Sequence, residues 1–416
     1  GFDCIIGNPP YIQLQKMGQA SIDLEKLGYE TFEKTGDIYS LFYELGFRIL
    51  KAKGFLTFIT SNKWMRAAYG ESLRKYFVEK SNPLILIDFG GVQVFDTATV
   101  DTNILIAEKA IYKGVTNACV LDKSFSINNT SDYFNTRLTS ITFNSTSWIV
   151  LNNIEQAIKT KIEKLGKPLK DWDVRINYGI KTGYNEAFIL NAEKRLELIE
   201  KCPEADSIIR PILRGRDIKS YNISFADQWL INTHNGLKSK NIDRIDAINY
   251  SSIFEHLQQY ESILKNRFDK GDNWTNLRNC AYLEEFEKEK IVWLELTDKP
   301  NFALDNTGFY INNTIFFMTG NHLKYLLGFL NSRICEWYFD KIAATSGVGT
   351  RRWIKLYIDQ ICIPIPDKEL EEKMNLYVDR MIENPILDNR KEIENIFYTV
   401  FNFTEEEIKL IETAKL

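Results

Sequence analysis

Apolar residues 2–6 open the chain and stop at Asn8-Pro9-Pro10-Tyr11. Further on, Ile38, Leu41, Phe42, Leu45 and Ile49 recur at helical spacing. Asp37 stands where an N-cap is expected, and Gly54 where a helix stop is expected. Residues 55–60, 84–89 and 103–108 are apolar runs of strand length. Strands alternating with helices predict an α/β layer with a mostly parallel sheet over residues 1–125. Ligands of such sheets sit at the carboxyl ends of strands, and Asn8–Tyr11 occupies one.

The pattern then changes. Residues 126–147 are rich in Ser, Thr and Asn and read as a linker. Residues 148–366 mix short helical and strand patterns with many Trp and Tyr, as an α+β domain would. Residues 367–416 read as a tail of charged helices, broken near Asn384-Pro385. The tail holds 13 acids and 7 bases, a net of −6 within a total of −4, so residues 1–366 carry +2. An acidic total therefore does not exclude phosphate binding by local basic clusters. Six scattered cysteines without a CxxC pair, and three scattered histidines, argue against a zinc site or disulfide framework and fit a reducing cytoplasm. No apolar run is long enough to span a bilayer. The opening residues already read as a buried strand and the first is not Met, so a piece of a longer protein is expected.

The chemistry of Asn8-Pro9-Pro10-Tyr11 is specific. Two prolines fix φ twice and remove two backbone donors, leaving a stiff loop that presents carbonyl oxygens. Asn8 adds a side-chain acceptor, and Tyr11 adds a flat ring. Two acceptors beside a stacking surface suit a planar –NH2 group.

The stretch FDCIIGNPPYIQL resembles the fourth motif of amino-methyltransferases that use S-adenosylmethionine. DIYSLFYELGFRILKAKGFLTFITSNKWM and LILIDFGGVQVFDTATVDTNILIAEK resemble the helix and strands that come after that motif in NPPY-type adenine-specific DNA methyltransferases. GKPLKDWDVRINYGIKTGYNEAFIL and IIRPILRGRDIKSY are similar to the specificity domain of TaqI-like and type IIG restriction–modification enzymes. LLGFLNSRICEWYF and SGVGTRRWIKLYIDQICIPIP resemble target-recognition domains of type I specificity subunits. The resemblance implies the carboxyl half of a Rossmann-like methyltransferase sheet, then a DNA target-recognition domain and a helical tail. It implies double-stranded DNA as partner, a prokaryotic cytoplasmic setting, and S-adenosylmethionine as cofactor without a catalytic metal. Asn8 and Pro9 would accept hydrogen bonds from N6 of a flipped adenine, in the loop stiffened by Pro10. Tyr11 would stack on the base, and Phe95 matches the position of a second aromatic contact.

Candidate DNA contacts are Arg210, Arg214, Arg216 and Lys219; Arg351, Arg352 and Lys355; Thr182, Tyr184 and Asn185 of the KTGYNEA loop; and Lys63 and Arg66 after the second strand. GLKSKNIDR (236–244) and LKNRFDKGDNW (264–274) read more naturally as solvated loops. The family's glycine-rich cofactor loop precedes NPPY, so its absence here predicts that an upstream segment is needed and that this chain alone is inactive. Pro366-Asp367…Glu371-Glu372-Lys373 imitates a PD…ExK nuclease signature, but the spacing reads as charged helix. Two alternatives stand beside the DNA-methyltransferase reading: a protein methyltransferase acting on a glutamine amide, and a DNA-specificity module without catalysis.

Overall fold

The computed structural model describes residues 1–89, 101–121, 125, 130–145, 148–343, 351–384 and 389–414. The chain divides into two compact units. One is Gly1–Lys161 with Phe339–Arg351 and Thr404–Lys409; the other is Ile162–Tyr338 with Arg352–Phe403 and Leu410–Leu416.

The first unit is built on a six-stranded sheet. Its strands are β1 (Phe2–Gly7), β2 (Leu50–Ser61), β3 (Asn82–Asp88), β4 (Thr102–Glu108), β5 (Thr116–Val120) and β6 (Thr139–Ile141), in the order β1-β2-β4-β3-β5-β6. Helix α1 (Tyr39–Ile49) joins β1 to β2, and α2 (Glu71–Lys80) joins β2 to β3. The apolar stripe of α1 buries Tyr39, Leu41, Tyr43 and Phe47. Tyr43, Phe58, Trp64, Phe77 and Trp148 then share one aromatic cluster, with Tyr43–Phe77 edge to face at 5.0 Å and Phe143 stacked on Trp148 at 4.3 Å.

Four expectations need correction. The sheet is mixed: β1 runs parallel to β2 and β3 to β5, but β4 runs antiparallel between β2 and β3. An antiparallel neighbour needs no crossover helix, and the polar start of β4, Thr102-Asn103, lies against Ser61-Thr60 of β2. Asp37 does not cap α1; Ile38 holds the cap position, and the Asp37 carboxylate instead accepts from the Tyr69 hydroxyl. Gly54 is not a helix stop but lies inside β2, after a bulge in which Lys53 adopts φ 63°. A Cβ at Gly54 would sit 3.0 Å from the Asp3 and Lys51 carbonyls, so close approach explains the glycine. Finally, residues within the expected 126–147 linker form a helix, α3 (Thr130–Arg137), and β6, the outermost strand of the sheet beside β5. Tyr133, Phe134 and Leu138 anchor this polar stretch on β3 and β5 residues.

The second unit has two four-stranded sheets over one apolar core. One contains β7 (Val174–Tyr178), β11 (Lys290–Leu294), β12 (Phe302–Asp305) and β14 (Ile315–Gly320), all antiparallel in the order β12-β11-β14-β7. The other contains β8 (Ile189–Asn191), β9 (Ile209–Leu213), β10 (Gln228–Ile231) and β13 (Tyr310–Ile311), in the order β13-β9-β10-β8. Lys290 and Asp305 form a fully buried ion pair at 2.6 Å across β11 and β12. The expected charged tail is helical over Lys368–Glu383, Arg390–Val400 and Glu405–Thr413. Asp367 of the nuclease-like stretch is the N-cap of the first of these, accepting from the Leu370 amide at 2.8 Å.

Candidate active site and recognition loops

Strand β1 ends at Gly7, which pairs with Phe58. Its neighbour β2 runs on to Ser61, so the Asn8–Tyr11 loop leaves the sheet beside the last residues of β2. The Tyr11 hydroxyl donates to the Ile59 carbonyl at 3.3 Å, fastening the loop there. Burial raises the Tyr11 pKa, which keeps this hydroxyl a donor. The Tyr11 ring meets Tyr39 edge to face, with centroids 6.0 Å apart and planes at 83°. Two contacts thus fix the ring plane. Pro9 is buried, while Asn8 and Pro10 are exposed, so the Asn8 amide is open to a ligand.

Polar residues gather behind this loop, and the sequence pattern did not single them out. Tyr39 and Tyr69 share a hydroxyl–hydroxyl bond of 3.1 Å, and Tyr69 donates to Asp37 at 3.3 Å. Burial raises the Asp37 pKa; the Tyr69 and Tyr39 bonds and the charges of Lys63 and Lys16 oppose it. At the ends of β2 and β3, Asn62 donates to Asp88 at 2.9 Å, and the Asn62 amide bonds the Asp101 carbonyl at 3.0 Å. Asp101 is raised by burial and by Asp88, with Lys63 opposing. Lys63 is exposed and Arg66 half-buried, both just past the end of β2. The signal for this group was available: DIY opens α1, and the polar SNK closes β2. Phe95 lies outside the described residues.

In the second unit, the predicted contact residues do not stand alike. Thr182 is 3% exposed, and its hydroxyl donates to Asn185 Oδ1 at 2.6 Å. Asn185 itself is exposed. Tyr184 donates to Glu186 and tilts against Tyr260. Arg216 and Lys219 are exposed. Arg214 is tied to Asp217 at 3.7 Å and Gln228 at 3.4 Å, and Arg210 donates to the neighbouring Ile209 carbonyl at 3.1 Å. Arg352 pairs with Glu295 at 2.8 Å, and Lys355 with Asp359 at 2.9 Å. Arg351, in the first unit, is 4% exposed and pairs with Asp340 at 3.4 Å.

The segment 264–274, expected to be a solvated loop, is in part a structural brace. Arg267 is buried and donates to the carbonyls of Thr182, Trp274 and Asn276. Asn276 in turn donates to the carbonyls of Thr233 at 3.0 Å and Ile245 at 2.9 Å. The sequence spacing hid the tie to Thr182, which lies 85 positions from Arg267. Among the described residues, no group of three His, Cys, Asp or Glu side chains converges as metal ligands would, and no helix is long and apolar enough to cross a membrane.

Known proteins resemble both parts. Residues 1–95 match the Eco57I restriction-modification methylase, and residues 210–365 match the TaqI-like C-terminal specificity domain. The type II methyltransferase M.BstVI of Geobacillus stearothermophilus is 21% identical, over 99% of this chain and 75% of its own length. The type II restriction enzyme and methyltransferase RM.Eco57I of Escherichia coli is 31% identical, over 45% of this chain and 19% of its own. The solved structure of the type IIL restriction-modification enzyme MmeI in complex with DNA superposes with a TM-score of 0.59 at 11% identity, covering 98% of this chain and 56% of that one. The resemblance read from the NPPY segment and the region after it therefore holds.

Proposed function

We propose that this chain, a relative of the type II restriction–modification DNA methyltransferases, is the target-amine and DNA-recognition part of an adenine-N6 methyltransferase of the type IIG kind. The observation that carries the reading is the Asn8–Tyr11 loop, fastened at the carboxyl end of β1 with its amide exposed and its ring plane fixed. The Asn8 side-chain oxygen and the Pro9 carbonyl accept the two N6 hydrogens of an extruded adenine. Holding both hydrogens out of the ring plane withdraws the nitrogen lone pair from the ring and frees it to act as a nucleophile. Tyr11 stacks on the base, a contact worth about 1–3 kcal/mol. Lys63 and Arg66 lie at the same end of the sheet and bind the phosphates that flank the extruded base.

S-adenosylmethionine supplies a methyl group on a cationic sulfur when bound. Among the described residues, no glycine-rich loop follows a strand and opens a helix to cradle its nucleoside, so the fit is to the acceptor amine alone. The edge of β1 supports an upstream segment. Among the described strands β1 pairs only with β2, and Phe2 and Ile6 are 58% and 78% exposed. Parallel strands are normally covered on both faces. A segment that pairs with β1 would complete the sheet and bring the cofactor.

The glutamine-amide alternative shares the NH2 chemistry, but the match of residues 210–365 to a DNA-specificity domain disfavours it. To test the reading, the chain is joined to its natural upstream segment and incubated with labelled S-adenosylmethionine and unmethylated DNA. Digestion to nucleosides should yield labelled N6-methyladenine, and Asn8→Ala should cut it by about 10²–10³-fold. Label in a protein glutamine, with none in DNA, would overturn the proposal.

A further inference from the structure

Loop 267–279 combines two features that are costly apart from a partner. Arg267 is 7% exposed, and among the described residues no carboxylate lies within ion-pair distance of it. Burial lowers its pKa to about 10, with Asp269 opposing. It stacks 4.5 Å above the Phe188 ring, and its two terminal nitrogens donate to three backbone carbonyls, one of them from Thr182. A desolvated cation of this kind is retained where it fixes a conformation. The next residue, Phe268, is 96% exposed. A lone exposed apolar side chain is ordinary, but here a complete ring is held in water by a stiffened loop.

The two loops meet at their backbones. Gly183 has φ 69°, and a Cβ there would lie 2.7 Å from the Asp269 carbonyl. Phe268 and Asn185 therefore flank one contact. Thr182 donates to Asn185 Oδ1, which fixes the amide of this exposed residue; its –NH2 has no hydrogen-bond partner among the described residues, and Oδ1 keeps a second lone pair. An amide in this state matches the N7 acceptor and N6 donor of adenine in the major groove. Lys181 and Lys270 sit in the same loops with no acidic ion-pair partner among the described residues, as phosphate-facing cations would.

We propose that residues 181–185 and 268–270 form one face that reads duplex DNA, with Asn185 contacting a base edge, Phe268 packing on a base or thymine methyl, and Arg267 as their positioning residue. This rests on the reading of the second unit as DNA-recognising.

The 416-residue chain is used to select from a pool of randomised duplex DNA, and the retained duplexes are sequenced. Wild type should enrich a defined motif. Asn185→Ala should flatten one column of it while affinity for unselected duplex changes less than about threefold. Phe268→Ala should weaken binding to the enriched duplex about tenfold, with little change for unselected duplex. Arg267→Met should lose the motif yet keep salt-sensitive bulk binding, and Arg267→Lys should restore part of it. Near-ultraviolet circular dichroism checks the fold of the Arg267 variants. If Arg267→Met unfolds, the two exposed positions decide, since neither side chain is part of the core. A wild-type motif and affinity in both Asn185→Ala and Phe268→Ala would overturn the proposal. Wild type that binds DNA but enriches nothing would defeat the recognition reading itself, and this proposal with it. The two failures are distinguishable because only the second leaves the wild-type selection flat.

Discussion

Between Asn8 and Tyr11 the path of the chain is set by residues adjacent in sequence, whereas at Thr182–Asn185 it is set by a guanidinium 85 positions away. The first loop owes its stiffness to two prolines, and its long-range ties are the Tyr11 hydroxyl on Ile59 and the Tyr11 ring against Tyr39. The second owes its shape to Arg267, to a glycine at positive φ and to the Thr182–Asn185 hydrogen bond. The difference suits the two tasks proposed for them. Every target offers the same amine, so a fixed backbone can hold it. Base sequence differs between enzymes, and a loop held by a remote brace can change its exposed residues without losing its path.

The largest effect should fall on the amine-binding loop. With the upstream segment joined, Asn8→Ala should cut methyl transfer by about 10²–10³-fold, the usual loss for one well-placed polar group. Its melting temperature should not move, because the side chain is exposed. A fall in both would mean that Asn8 holds the fold rather than the substrate. The next effect should come from the second loop. Gly183→Ala should destabilise the chain by about 1–3 kcal/mol, read from urea unfolding, since it strains a positive φ and meets the Asp269 carbonyl at 2.7 Å. Pro10→Ala should cost less, about 0.4–1 kcal/mol, because proline acts there by restricting the unfolded chain. If Pro10→Ala cost more than Gly183→Ala, the contrast between local and remote stiffening would fail.

The same contrast explains what could be read in the sequence. The NPPY loop was legible because its chemistry is contiguous, and all four expected strands of the first unit appear near their expected places. The direction of β4 was not legible, since an apolar run does not record its orientation. Asp37 and Gly54 fit helix-boundary rules, but tertiary contacts with Tyr69 and Asp3 claim them instead. Segment 264–274 looked solvated because most of its residues are charged or polar. One of those charges, Arg267, turns inward to the Thr182 carbonyl, 85 positions away, which no local pattern reveals. Arg351 likewise stood in a basic pair by sequence, yet its side chain is buried against Asp340.

The smallest effect should come from Tyr11→Phe, and it tests the comparison most finely. The variant removes the tie to Ile59 but keeps the ring against Tyr39. That hydrogen bond is long at 3.3 Å and half-buried, so its loss should cost about 0.5 kcal/mol of stability. If the prolines alone set the loop, kcat for methyl transfer should fall no more than about threefold, because the stacking face remains. Tyr11→Ala removes that face and should fall much further. A Tyr11→Phe loss as deep as that of Asn8→Ala would show that the loop depends on its remote hydrogen bond to Ile59 after all. The amine-binding loop, like the recognition loop, would then depend on a long-range polar contact.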